Sequence, residues 1–181
     1  MRIHAESRIH HPLEQVYVAY RDDLPKLAAY IPDVKEIVVK ERVERPEGPK
    51  IWNRWIGTRE LPRVLRGIIR PDMLQWDDFA AWNDAARHVD WRLSFPAFPD
   101  RVRCSGRNAF AADGSGTKIT LSGTLEIDLR SLPGVPNLVA RKVGPIAEDF
   151  IVRLVTPNLE RVNMTLQRYL DERSVQGRAI S

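Results

Sequence analysis

Apolar residues recur along this chain with two periods, and the change between them divides it. From Val143 to Arg173, the residues Ala147, Ile151, Val155, Leu159, Val162, Leu166 and Leu170 fall at spacings of three and four. That is one face of a 3.6-residue helix. Ile146, Phe150 and Leu154 widen the apolar arc in the first half only, and the second half keeps a narrower stripe. Pro157 stands between the halves. It lacks a backbone donor and crowds the preceding turn, which predicts a kink or a break into two helices.

Upstream the period is mostly two. Arg2 to His10 alternates, with Ile3, Ala5, Ser7 and Ile9 on one face and Arg2, His4, Glu6 and Arg8 on the other. Pro12 then opens a short helix with the face Leu13, Val16, Tyr17 and Tyr20, and Leu24 to Ile31 spaces as a second, ended by Pro32-Asp33. Strands are expected over Val34 to Arg45, Lys50 to Arg59, Arg63 to Arg70, Met73 to Trp82, His88 to Phe95, Arg101 to Ala112 and Thr117 to Leu129. Pro46-Glu47-Gly48-Pro49, Pro71-Asp72, Asn83-Asp84 and Asp113-Gly114-Ser115-Gly116 punctuate them as turns. The faces are clearest over Thr117 to Leu129, where Ile119, Leu121, Leu125, Ile127 and Leu129 share one, and three other strands add theirs. Ile51, Asn53, Trp55 and Gly57 share one; so do Val89, Trp91, Leu93 and Phe95; so do Val102, Cys104, Asn108 and Phe110.

The order is one strand, two short helices, a long antiparallel meander and one long helix. This is an α+β chain whose sheet, of about seven or eight strands, has one polar and one apolar face. Such a sheet curls, and the long helix lies in its concavity. Where sheet and helix do not fully mesh, a cavity remains. Residues 1–173 are expected to form one domain, with the polar segment 174–181 as a fraying tail.

Four stretches resemble the START-like, or SRPBCC, superfamily, which includes the birch-pollen allergen, lipid-transfer domains and polyketide cyclases. They are Ile9 to Tyr17 at the first strand-to-helix junction, Leu24 to Val39 with Ile31-Pro32-Asp33-Val34, Gly116 to Thr120, and the closing helix. The resemblance implies a helix-grip fold around a mainly apolar cavity that holds lipids, isoprenoids or aromatic compounds. It supplies no family-wide catalytic motif, and fold alone does not fix function.

Composition narrows the remaining classes. The 28 basic and 24 acidic residues leave a formal charge of +4 spread along the chain, with no basic run interleaved with aromatics, so nucleic acid is not an expected partner. Cys104 is the only cysteine. An intramolecular disulfide is impossible, which together with the lack of an apolar signal-like N-terminus suggests a reducing, cytoplasmic setting. No apolar run approaches the ~20 residues that span a bilayer. His10-His11 has no third ligand at metal spacing, and neither a metal nor a cofactor is expected. Arg54, Arg59, Arg63, Arg66 and Arg70 form a loose basic band. A solvated face is its plainer reading, and a transient contact with anionic headgroups the alternative.

The expected ligand site is Tyr20, Trp55, Trp76, Trp91, Phe95, Phe110, Phe150 and Leu154, an aromatic lining with few polar groups. For any one of these, core filling is the plainer reading. Neighbours on a strand point oppositely, so at most one of Asp77 and Asp78 faces inward. A carboxyl held in an apolar cavity has a raised pKa and can serve as acid or base. The leading expectation is a non-enzymatic module that binds or transports a hydrophobic small molecule. The alternatives are a small cyclase or isomerase using Asp78 or Tyr20, and a regulatory module that binds a protein through its sheet. Polar atoms paired inside the cavity would favour the enzyme, and a uniformly apolar lining the carrier.

Overall fold

The computed structural model describes residues 1–58, 63, 74–96, 98, 101–128 and 137–179, without the side chains of residues 137, 138, 140, 143, 147, 150, 154–160 and 176–179. Seven strands form one antiparallel sheet: β1 (Arg2–Ile9), β2 (Val34–Val43), β3 (Lys50–Gly57), β4 (Gln75–Asn83), β5 (His88–Ser94), β6 (Val102–Asp113) and β7 (Gly116–Ile127), in the order β1-β7-β6-β5-β4-β3-β2. Of the strand expected over Arg63 to Arg70, only Arg63 is among the described residues.

β1 and β2 stand at opposite edges of the sheet, and the segment between them must cross from one to the other. It does so as α1 (Leu13–Asp22), which packs on β6 and β7, and α2 (Leu24–Leu27), which packs on β2. The second helix is shorter than its apolar spacing suggests. After Leu27 it tightens into a 3₁₀ turn, Ala28–Tyr30, and Ile31 is already extended at φ −102°, ψ 110°. Pro32 explains this, because its ring disfavours helical backbone in the residue before it.

α3 (Asn137–Ala179) is a single helix of 43 residues. It begins before Val143 and runs past Arg173, and it is not broken into two helices at Pro157. Ile151, Val162, Leu166 and Leu170 from the expected stripe are buried. Leu166 is fully enclosed, and the helix packs on β1 and the short helices. The result is a helix-grip fold, with the core between the concave sheet face and α1, α2 and α3.

The period-two faces hold along β3 to β7 but not along β2. Its pairing with β3 shifts register between Val34 and Glu36 and again between Val39 and Glu41. Each bulge adds a residue and reverses the phase. The first is why Val34 and Ile37, three positions apart, are both buried; Val39 keeps the phase of Ile37 and is nevertheless 45% exposed.

Candidate functional site

The concave face of β3, β4, β5 and β6 is built from alternate residues, and their register sets what meets what. Trp55 lies opposite Trp76, and Asn53 opposite Asp78. Ala80 lies opposite Trp91, and Val89 opposite Asn108. All of these side chains are buried. Between them and α1, α2 and Val162 of α3 lies a cavity that opens to solvent.

Its walls are aromatic. Trp55 and Trp76 stack with centroids 5.7 Å apart, and Tyr20 meets Trp82 edge-on at 6.0 Å. Trp91 lies over a part of the sheet that carries no side chains. Gly106 and Gly123 pair across β6 and β7, and a Cβ on Gly106 would come within 2.6 Å of the Trp91 ring and 2.3 Å of the Ser122 carbonyl oxygen. The two glycines make room for the indole at the back of the cavity.

Two polar groups sit within this apolar shell. The first is Asp78, 8% exposed, which accepts a hydrogen bond from Asn53 Nδ2 at 3.3 Å. Burial pushes its carboxyl up to about 6, against the smaller opposing pull of Asn53 and of the Trp55 indole N–H. That N–H lies near Asp78 without forming a well-shaped hydrogen bond to it. The second is Tyr20. Trp91 Nε1 donates to Asn108 Oδ1 at 3.0 Å, and Asn108 Nδ2 donates to the Tyr20 hydroxyl at 2.8 Å. Burial, and next the nearby charge of Asp78, raise the Tyr20 pKa, while the Asn108 hydrogen bond acts the other way. Arg21 also lines the cavity, but its guanidinium is held by Asp22 and by both oxygens of Asp84.

The expected site residues divide into three groups. Tyr20, Trp55, Trp76 and Trp91 line the cavity together. Phe95 and Phe110 are buried behind its wall, Phe95 against Trp76 at 6.4 Å and Phe110 against Tyr20 at 5.3 Å. The Phe150 and Leu154 side chains lie outside the described residues. Asn53, Trp82 and Asn108 also line the cavity and are not among the residues expected from sequence. A usable signal exists for Asn53 and Asn108: each is a polar amide at an apolar phase of its strand.

Other candidate groups have plainer roles. Asp77 faces outward and binds Arg54 through both oxygens at 2.8 and 2.9 Å. That pairing removes Arg54 from the basic band; Arg59, Arg66 and Arg70 lie outside the described residues. Asp90, also outward, pairs with Arg107 at 2.6 Å. Cys104 is buried, and burial pushes its thiol up to about 12, so it is not a ready nucleophile. His11 Nε2 lies 2.8 Å from Asp171 Oδ1, whereas the His10 backbone N–H donates to Gln167. Among the described residues, no three His, Cys, Asp or Glu side chains converge as metal ligands would, and no helix is long and apolar enough to cross a membrane.

No protein-family model matches the chain, and no curated protein matches it. Solved structures do. TTHA0849 of Thermus thermophilus is 23% identical over 93% of this chain and 95% of its own, with a TM-score of 0.63. The Zhui aromatase/cyclase of Streptomyces sp. R1128 is 16% identical over 94% and 95%, with a TM-score of 0.62. Ara h 8.0201 is 15% identical over 95% and 98%, with a TM-score of 0.57. The fold is START-like, of the helix-grip type shared by these proteins.

Proposed function

We propose that the protein binds an apolar, aromatic or polyketide-like small molecule in this cavity and transfers a proton on it, as a cyclase or isomerase does. Asp78 is the acid–base group. The observation that carries this reading is a buried carboxyl in a largely aromatic cavity, bonded to an amide and to no cation among the described residues. With a pKa near 6, Asp78 is mostly ionised at neutral pH yet poorly solvated. A base in that state takes up a proton more readily than an exposed aspartate. The pattern of polar atoms thus favours the enzyme over the carrier expected first. The occurrence of an aromatase/cyclase on the same fold supports the choice of reaction class.

The test is exchange at carbon. A ketone with acidic α-hydrogens, 2-tetralone, is incubated with the protein in D₂O and its α-proton signals are followed by NMR. The expected result is exchange above the buffer rate, rising with pH through about 6 and level above it, as the ionised form of Asp78 requires. Binding with no exchange above buffer would defeat the catalytic reading. It would leave the carrier, which the mostly apolar lining supports.

A further inference from the structure

We propose that Tyr20 is a hydrogen-bond donor aimed into the cavity, and that the molecule it receives carries an acceptor oxygen, as a ketone does, on an apolar frame. This rests on the reading of the cavity just given and adds the class of substrate.

Three side chains set the direction of the phenol proton. An indole N–H can only donate. The atom 3.0 Å from Trp91 Nε1 must therefore be the Asn108 oxygen, which turns the Asn108 nitrogen toward Tyr20 at 2.8 Å. An amide N–H cannot accept, so the Tyr20 oxygen is the acceptor in that contact and its own proton is turned elsewhere. Among the described residues nothing accepts it. Asp78 is close enough for its charge to be felt at Tyr20, but the two form no hydrogen bond. Tyr20 is 8% exposed and lines the cavity. A buried donor without a partner is uncommon in folded proteins, and here the open direction is the space a ligand would fill. Trp91 and Asn108 are positioning residues: they fix which way the phenol points.

The same geometry suits the step assigned to Asp78. When the carboxylate takes an α-proton, the C–H bond breaks and its electron pair forms the C=C bond of the enolate. The carbonyl π pair moves onto oxygen, and Asp78 becomes the carboxylic acid. Negative charge grows on the oxygen, where the Tyr20 O–H would donate without losing its own proton. A hydrogen bond that strengthens as charge develops favours the transition state over the ground state. A hydrocarbon would leave the donor unsatisfied, and a ligand group that only donates would meet proton with proton.

The experiment compares 2-tetralone with tetralin, which has the same frame without the oxygen, on the full chain. Affinity is measured by titration, and the C=O stretch of bound 2-tetralone by infrared difference spectroscopy. Tyr20→Phe should weaken 2-tetralone by roughly three- to tenfold, the worth of one neutral hydrogen bond. It should leave tetralin unchanged and return the stretch to higher wavenumber. Asn108→Asp offers a carboxylate that accepts from both Trp91 and Tyr20, so the phenol proton turns away from the cavity. The preference for the ketone should then fall as in Tyr20→Phe, although Tyr20 is intact. A residue that merely packed would not produce this split between the two probes. If Asn108→Asp does not fold, Tyr20→Phe and the infrared shift decide alone. Unchanged 2-tetralone affinity and stretch in Tyr20→Phe would overturn the inference. Equal loss of both probes would also overturn it, making Tyr20 a wall residue while the cavity reading stands. Failure of both probes to bind the wild type would remove the cavity reading and this inference together.

Discussion

Asp77 and Asp78 are adjacent on β4 and almost equally buried, at 6% and 8% exposure, yet their carboxyls lie in opposite electrostatic settings. The strand turns Asp77 to the outer face. There burial pushes its pKa up, but the Arg54 guanidinium and the Trp52 indole N–H beside it outweigh that and hold it below the usual range. Asp78 faces the cavity, where one amide and one poorly aimed indole N–H do not offset burial. Exposure alone therefore does not set a carboxyl's chemistry; the partners on its face of the sheet do. One of the pair is a structural tie. The other is a group free to take up and release a proton.

The sharpest way to break this contrast is to remove the proton acceptor. Asp78→Asn should bring α-exchange of 2-tetralone down to the buffer rate, a loss of roughly a hundredfold or more if Asp78 is the base. Asp77→Asn should leave the exchange rate close to wild type. Equal loss in both variants would mean that the two faces do not differ in function.

The next effect is on stability, and its sign is opposite for the two residues. Asp78 titrates higher in the folded protein, near 6, than the ~3.9 of an exposed aspartate. Below about pH 4 it is protonated in both states and costs nothing. As pH rises through about 6, the folded state gives up a proton it holds more tightly than the unfolded chain does, and stability falls. Asp78→Asn should therefore gain about 2–3 kcal/mol at pH 7.5 and almost nothing at pH 4, measured by urea unfolding. A loss at pH 7.5 would contradict the assignment of Asp78 as an unsupported buried charge.

Asp77→Asn should do the reverse, costing about 1–2 kcal/mol at neutral pH because Arg54 is left half-covered without its partner. The contribution of Asp77 is present above about pH 4 and fades as the pH falls below it, since its folded pKa is depressed. The smallest effect is expected from Asp90→Asn. Both members of the Asp90–Arg107 pair are about half exposed, and its melting temperature should match wild type within error.

The sequence carried the contrast only as a constraint. Alternation required that Asp77 and Asp78 diverge, so that at most one of them faces inward. It could not show that Arg54 would meet Asp77, because that contact depends on the β3–β4 register. The same reason hid the Trp91–Asn108–Tyr20 chain, which joins residues 88 positions apart at its widest hydrogen bond. Trp55, Trp76 and Trp91 were legible because large aromatics at one phase of successive strands converge on one face. The helix bounds were less so. Asn137 to Lys142 mixes polar and apolar positions without a clean stripe, and a proline within an apolar period looks like a stop even where helix continues through it.

The two bulges of β2 have a consequence outside the cavity. Among the described strands β2 forms one open edge of the sheet, where unpaired backbone groups could template a further strand. The bulges interrupt that template twice, and Lys35, Glu36, Lys40, Glu41 and Arg42 crowd the same ten residues with charge. A straight, apolar edge would stack copy upon copy into fibres as concentration rose. The irregular edge thus protects the protein's colloidal stability, and deleting one residue at a bulge should show first as turbidity in concentrated solution, before any change in ligand binding.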